Sequence, residues 1–301
     1  MKNFSTVYPQ LIQQFLDREQ LPPAYGDDVE QWFLPFIESL KTKIADQTKK
    51  PFLVGVNGAQ GTGKTTFCLL LETLLQQQGI QVITLSIDDY YLGKADRSLL
   101  GKQVHPLFAT RGVPGTHDIA RLTETLSTLA SPKPGETVLL PRFNKAEDDL
   151  LPRDQWREVS SEVDLVLLEG WCVGVAPQEK SALAEPINEL ESREDPDGVW
   201  RRYVNSALAQ EYRIAFDQLQ HLVLLQAPSF EQVYAWRGLQ EQKLREARAG
   251  DGAGIMSTEQ LESFIQHYER LTRHALETLP SQADTVFPLD RDHRITGLME
   301  K

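Results

Sequence analysis

Between Phe52 and Gly79 a short apolar stretch, Phe52-Leu53-Val54-Gly55-Val56, leads through Gly58-Ala59-Gln60-Gly61-Thr62-Gly63-Lys64-Thr65 into Phe67, Leu70, Leu71, Leu74 and Leu75 at helical spacing. Every fixed position of the pattern G-x-x-x-x-G-K-[ST] is filled, and the pattern lies between a predicted strand and a predicted helix, where it has a physical meaning. Glycines let the backbone curl, so that successive N–H groups and the positive end of the following helix converge on one anion. The order strand, glycine turn, helix is also the first half of a βαβ unit, so it constrains the fold as strongly as it constrains the ligand. The reading is that Gly58 to Thr65 hold the phosphates of a nucleoside triphosphate. Lys64 supplies a point charge to the β and γ phosphates, and the Thr65 hydroxyl enters a Mg²⁺ shell.

Further short apolar runs occur at Val82 to Ile87, Val138 to Leu140, Asp164 to Leu168, His221 to Leu225 and Thr285 to Phe287, separated by helix-like or loop-like sequence. Runs apolar on both faces that alternate with helices predict an α/β fold, a mostly parallel sheet covered by helices on both sides. The first fifty residues are read as an amphipathic helical segment through Val29, Trp32, Phe33, Phe36, Ile37, Leu40 and Ile44, with Pro35 marking a kink or a fresh first turn. This segment, 1–50, is expected to cover one side of a core domain at 51–301. Within that domain the polar stretch at about 176–199 is the candidate insertion or linker, and the region at about 236–256 the candidate lid. Ser229 with Gln232 and Ser257 with Gln260 are capping-box spacings for two late helices. Between these helices, Gly250 to Gly254 follows a basic stretch carrying Arg237, Lys243, Arg245 and Arg248, read either as a closing element over phosphate or as a solvated charged face.

The 301 residues carry 31 Lys plus Arg against 43 Asp plus Glu, a formal charge of −12. Such a field repels polyanions, so neither nucleic acid nor an anionic membrane surface is expected as the main partner, while a small anion can still enter a locally basic pocket. No apolar run reaches the roughly 20 residues of a spanning helix, and Met1 to Gln14 lacks the layout of a secretory leader, so a cytoplasmic location is the expectation. Cys68 and Cys172 are isolated and read as buried small hydrophobes rather than as a disulfide or zinc site.

The residues able to do chemistry follow strand ends. Val82 to Ile87 delivers Asp88 and Asp89, with Tyr90 and Tyr91 after them, to the edge of the sheet where ligands of open α/β folds bind. One carboxylate can accept a proton from a substrate hydroxyl; spacing alone does not choose which, and a plain cap or turn is the alternative. Asp164 to Leu168 ends in Glu169, an acid placed to hold Mg²⁺ directly or through water. The loop Thr110 to Asp118 has backbone-fixing Gly112, Pro114 and Gly115 around Arg111, His117 and Asp118; Arg111 can fork onto a carboxylate or phosphate, or the loop can be a tight turn closed by Asp118 as a cap.

In this order, the phosphate loop, Ser86-x-Asp88-Asp89-Tyr90-Tyr91, Arg111-Gly112-x-Pro114-Gly115-Thr116-His117-Asp118, Leu140-Pro141-Arg142-Phe143-x-Lys145 and Leu167-Leu168-Glu169-Gly170-Trp171 resemble the P-loop kinase group of phosphoribulokinase, uridine kinase and pantothenate kinase. In detail they are most similar to D-glycerate 3-kinases, with further matches at Glu194 to Gly198, Trp200 to Asn205 and Trp236-Arg237. The likeness runs from about Phe52 to Asp290. It implies a three-layer P-loop fold and transfer of the γ-phosphoryl group of ATP, with Mg²⁺, to a hydroxyl of a small anionic acceptor, D-glycerate first. It implies that Gly58, Ala59, Gln60, Gly61, Thr62, Gly63, Lys64, Thr65 and Thr66 bind the nucleotide, helped by Arg237 and Arg245 from the lid. Asp88 is then the base, and Thr65, Asp88 and Glu169 serve the metal. Asp89, Tyr91, Arg111, His117, Asp118, Arg142 and Lys145 lie on the acceptor side. Uridine, pantothenate or a sugar are the alternative acceptors, and a non-catalytic ATP-binding regulator the alternative class. A GTPase is the other rival, because Asn144-Lys145-Ala146-Glu147 imitates the guanine-reading Asn-Lys-x-Asp, although with Glu for the required Asp.

Overall fold

The computed structural model describes residues 4–47, 51–247 and 258–301. The chain begins with α1 (Phe4–Glu19), α2 (Pro23–Asp28), a π-turn at Val29–Phe33 and α3 (Leu34–Asp46). Pro35 sits in the first turn of α3, where its missing N–H costs nothing, so it starts a helix rather than kinking one. Then follow β1 (Phe52–Gly58), α4 (Lys64–Gln76), β2 (Val82–Ser86), α5 (Lys94–Gln103) and α6 (Ile119–Ala130). Four short strands come next, β3 (Thr137–Leu140), β4 (Phe143–Asn144), β5 (Asp149–Leu150) and β6 (Arg157–Ser160), before β7 (Leu165–Gly170). The last part holds α7 (Glu189–Glu194), α8 (Val199–Ala207), α9 (Arg213–Phe216), β8 (His221–Gln226), α10 (Phe230–Ala247), α11 (Thr258–Gln282), β9 (Thr285–Pro288) and β10 (Met299–Glu300).

The main sheet has the order β10-β9-β8-β1-β7-β2, parallel throughout except for the short β10 edge. Strand residues alternate between two apolar layers. Leu53, Ile83, Leu85, Val166, Leu168, Leu224 and Val286 join the layer under α6, α8 and α11. Val54, Val56, Leu165, Leu167, Val223, Leu225 and Phe287 join the layer under α4 and the N-terminal helices. Fully buried Phe36 and nearly buried Phe33 meet Phe67 of α4 and Phe287 of β9 at ring separations of 4.9 to 6.0 Å. The N-terminal segment therefore completes the core; truncating either ring to Ala costs about 3–5 kcal/mol. Asp28, 2% exposed, takes both prongs of Arg294 at 2.9 Å and ties α2 to the turn after β9.

One expected strand of the sheet lies elsewhere. Thr137–Leu140 pairs antiparallel with Arg157–Ser160 in a separate two-stranded ribbon, because alternate side chains there face solvent and such a strand cannot enter a doubly covered sheet. The polar stretch 176–199 is not a free linker. Arg270 of α11 grips Glu191, fully buried, at 2.7 and 2.6 Å and also donates to the carbonyls of Ala182 and Glu185. Arg201 does the same with buried Asp195 and the Leu183 carbonyl. Ser229 caps α10, its hydroxyl accepting the Gln232 N–H at 3.3 Å. Ser257, Arg248 and Gly250 to Gly254 lie outside the described residues, as do the side chains of Lys243 and Arg245. No helix of the described residues is long and apolar enough to cross a membrane.

Candidate active site

Three neighbouring strands, β1, β7 and β2, bring their C-terminal ends to one edge of the sheet. Register sets Glu169 of β7 level with Val56 on one side and Ser86 on the other. The glycine loop after β1 and the acids after β2 thus stand on either flank of Glu169. Gly61 and Gly63 take φ values of +84° and +85°, a region closed to most side chains, which is why glycine occupies them. Buried Thr62 donates from Oγ1 to the Ala59 carbonyl at 2.9 Å, closing the curl on itself. A Cβ on Gly61 would stand 3.0 Å from Cβ of Trp236, so α10 packs directly on the loop. Thr65 and Thr66 open α4 with Lys64 in its first position, so the amides ahead of them point out of the helix N-terminus.

The Thr65 hydroxyl donates to Glu169 Oε1 at 3.0 Å. The other oxygen, Oε2, is buried and has no partner. A carboxylate oxygen left bare in a nearly closed position is expensive unless a cation or its water completes it, so Thr65 and Glu169 fit Mg²⁺ held with phosphate oxygens. Among the described residues no three His, Cys, Asp or Glu side chains form a cage of their own.

Asp88 and Asp89 lie on a 3₁₀ turn and separate in role. Asp89 Oδ1 accepts the backbone N–H of Phe143 at 3.1 Å, which anchors the β4–β5 hairpin. Burial pushes the Asp89 pKa up despite that amide. Asp88 accepts from the Tyr91 hydroxyl at 3.0 Å and from Lys145 Nζ at 2.7 Å. Burial alone would raise the Asp88 pKa, but the charges of Lys145 and Lys64 outweigh it and hold the carboxyl at about 2. The two neighbours are thus distinguished by their partners, one a strut and the other a charged group at the mouth.

In the loop after Thr110 the ionisable side chains engage neighbouring parts of the chain. Arg111 pairs through Nη1 with Asp148, places Nη2 3.4 Å from the Lys145 carbonyl, and stacks 5.5 Å from the Phe143 ring centroid. Asp148, at φ +57°, is held also by Arg97, which is fully buried and donates to the carbonyls of Leu92, Ala109 and Asp148. Arg111 is therefore engaged in supporting the hairpin that carries Lys145. Asp118 is likewise occupied: it caps α6 through the Arg121 amide at 3.0 Å and pairs with the Arg121 side chain. His117, 3% exposed, stacks on Tyr91 at 4.3 Å, and its Nδ1 lies 2.5 Å from the Tyr212 hydroxyl, whose oxygen accepts the Gly115 amide. Burial depresses the His117 pKa to about 4 although Asp88 works the other way, so the ring is neutral near pH 7, with Nε2 lacking a partner.

Arg142 is exposed at the base of the hairpin, its carbonyl taking the Leu151 amide. Arg237 lies over the Phe264 ring at 5.6 Å, on the α10 turn that follows Trp236. Asn144 accepts the amides of Ala146 and Glu147 with its side-chain oxygen, so the Asn-Lys-Ala-Glu stretch is a self-closed hairpin turn and not a base-reading motif. Two supporting residues escaped the sequence reading. Asn57, 2% exposed, donates to the carbonyls of Trp171 and Val173 and locks the end of β1 to the turn after Glu169. Tyr268 of α11 donates to the Arg111 carbonyl and lies so close to Gly112 that a Cβ there would fall 2.2 Å from its hydroxyl.

No family model matches the chain. It is 32% identical over 226 residues to an uncharacterized kinase of Schizosaccharomyces pombe, covering 73% of this chain and 79% of that protein. It is 28% identical over 259 residues to the chloroplastic D-glycerate 3-kinase of Arabidopsis thaliana, covering 80% of this chain but only 53% of that longer protein. Identity to a pantothenate kinase of Lactiplantibacillus plantarum is 25% over 205 residues, 62% of this chain and 61% of the other. Among solved structures, a D-glycerate 3-kinase from Cryptococcus neoformans superposes with a TM-score of 0.72 at 24% identity, over 90% of this chain and 98% of the other, a likeness of fold.

Proposed function

The chain belongs to the D-glycerate 3-kinase-like P-loop kinases, and from that premise we propose that it transfers the γ-phosphoryl group of ATP to a hydroxyl of a small anionic acceptor, D-glycerate. The observation that carries this reading is the juxtaposition of three groups on adjacent strand ends. The glycine loop with Lys64, the Thr65–Glu169 pair with its bare oxygen, and Asp88 share one edge of the sheet.

In this reading the loop amides and Lys64 take the phosphate tail, and Glu169 and Thr65 hold Mg²⁺. Bound there, Mg²⁺ would supply positive charge against the phosphates. Asp88 takes the proton of the attacking hydroxyl; Lys145, exposed on its hairpin, offers an ammonium to the acceptor carboxylate. Phosphoryl transfer needs little covalent help from protein, so positioning and charge supply most of the rate. Tyr91 and neutral His117 form the wall beside Asp88. Pantothenate, likewise a hydroxy acid, is the second candidate because relatives of that name align over half or more of the chain. A self-closed Asn144 turn argues against guanine reading. A coupled ADP-release screen over hydroxy acids, sugars, nucleosides and pantothenate tests the reading; a nucleoside or neutral sugar as the best acceptor, or no acceptor at all, overturns it.

A further inference from the structure

Lys145 reaches Asp88 from a different part of the chain, 57 positions away, and its ammonium stands 2.7 Å from Oδ2 while the Tyr91 hydroxyl occupies Oδ1. A carboxylate with a donor on each oxygen and a cation at contact is a poor proton acceptor. The hairpin that presents Lys145 is held firmly, by Asp89 on the Phe143 amide and, at Asp148, by fully buried Arg97 and partly exposed Arg111. The pair itself is loose by comparison: the lysine side chain is 60% exposed and the aspartate 26%. Exposed pairs of this kind shift an equilibrium by no more than about fivefold, which suits a contact that is exchanged rather than a permanent strut. An acceptor carboxylate arriving here meets Asp88, Glu169 and the phosphate tail, all negative. Arg111, the nearest guanidinium on the acceptor-side loop, already spends its fork on the hairpin.

We propose that Lys145 guards the site: without an acceptor its ammonium rests on Asp88 and denies water a base, and an acceptor carboxylate draws it away, uncovering Asp88 beside the hydroxyl to be phosphorylated. This rests on the reading of Asp88 as the base. The reaction suppressed is hydrolysis, in which the water oxygen bonds to the γ phosphorus, the bond from that phosphorus to the ADP oxygen breaks with its electron pair, and the water proton passes to Asp88. The same exchange gives the acceptor carboxylate its counter-ion, so selection for an acid and protection of ATP come from one side chain.

The test is ADP release by the full chain with MgATP and no acceptor, comparing the parent with Lys145→Met and Lys145→Arg. Removing the charge is expected to raise hydrolysis about two- to fivefold. Retaining it in Lys145→Arg is expected to keep hydrolysis near the parent rate. With D-glycerate added, Lys145→Met is expected to raise the acceptor KM at least about fivefold with the ATP KM unmoved. Hydrolysis that is unchanged or slower in Lys145→Met overturns the guard, as does an equal rise in both variants. If the parent transfers nothing to D-glycerate, the acceptor assignment fails while the hydrolysis comparison still decides the role of Lys145.

Discussion

Replacing Asp88 by Asn removes one negative charge and keeps the shape, so its effects on catalysis and on stability separate cleanly. The Asp88–Lys145 pair is open to solvent at its lysine end, which limits what the fold loses to about 1 kcal/mol, a shift of less than about 2 °C in Tm for a chain of this size. The phosphate loop closes through Thr62 and Ala59 and shares no hydrogen bond with Asp88, so ATP binding should change little. Turnover should fall at least about a hundredfold, near 2.7 kcal/mol of barrier, because amide oxygen is too weak a base for the hydroxyl proton. Steady-state kinetics with varied ATP and D-glycerate, together with nucleotide binding by calorimetry and a melting curve, read the three quantities. Turnover within tenfold of the parent, with ATP binding intact, would refute the assignment of the base. A loss accompanied by a large fall in Tm would refute the claim that the pair is peripheral to the fold.

Glu169→Gln keeps a hydrogen-bonding partner for Thr65 but removes the charge at the bare oxygen; the Mg²⁺ concentration for half-maximal activity should rise about 10–100-fold, measured by metal titration at fixed ATP. His117 titrates at about 4 folded against its ordinary 6.5, so the folded state resists a proton that the unfolded chain accepts. The stability involved is therefore present above about pH 6.5 and lost as pH falls through that value towards 4. His117→Phe should flatten this loss, which urea midpoints at pH 7 and pH 5 would detect; equal losses in both proteins would count against it. Glu191→Ala strands Arg270 of α11 without its carboxylate and should cost about 3–5 kcal/mol in denaturant unfolding. Gly112→Ala drives a methyl into the Tyr268 hydroxyl at a φ of +141°, for about 1–3 kcal/mol and a disturbed acceptor loop.

The parts of this molecule that are set by local chemistry could be read from its residues. The glycine loop announces itself because only glycine tolerates the positive φ at positions 61 and 63, and Glu169 because an acid ending a buried strand needs a reason. The kinase family also followed, since several such signals occur in a fixed order. What escaped were relations between distant positions. The pairing of Arg111 could not be foreseen because Asp148 is 37 residues away, and a basic side chain does not state in advance which acid it will meet. Asn57 and Arg97 carry no motif, yet one locks two strand ends and the other anchors a hairpin through backbone carbonyls. The run from Val138 to Leu140 resembled a main-sheet strand because a short apolar run does not reveal that Leu139 faces water while Val138 and Leu140 are buried.

The central position of β1 has a consequence for synthesis. Its hydrogen-bonding edges are satisfied by β7 and β8, whose residues appear 107 or more positions later for β7 and still later for β8. A nascent chain that ends before Gln226 therefore displays the glycine curl on a strand whose second edge is bare, next to the apolar residues that β8 would cover. Until β8 is added, that bare edge is a surface on which another strand can pair wrongly.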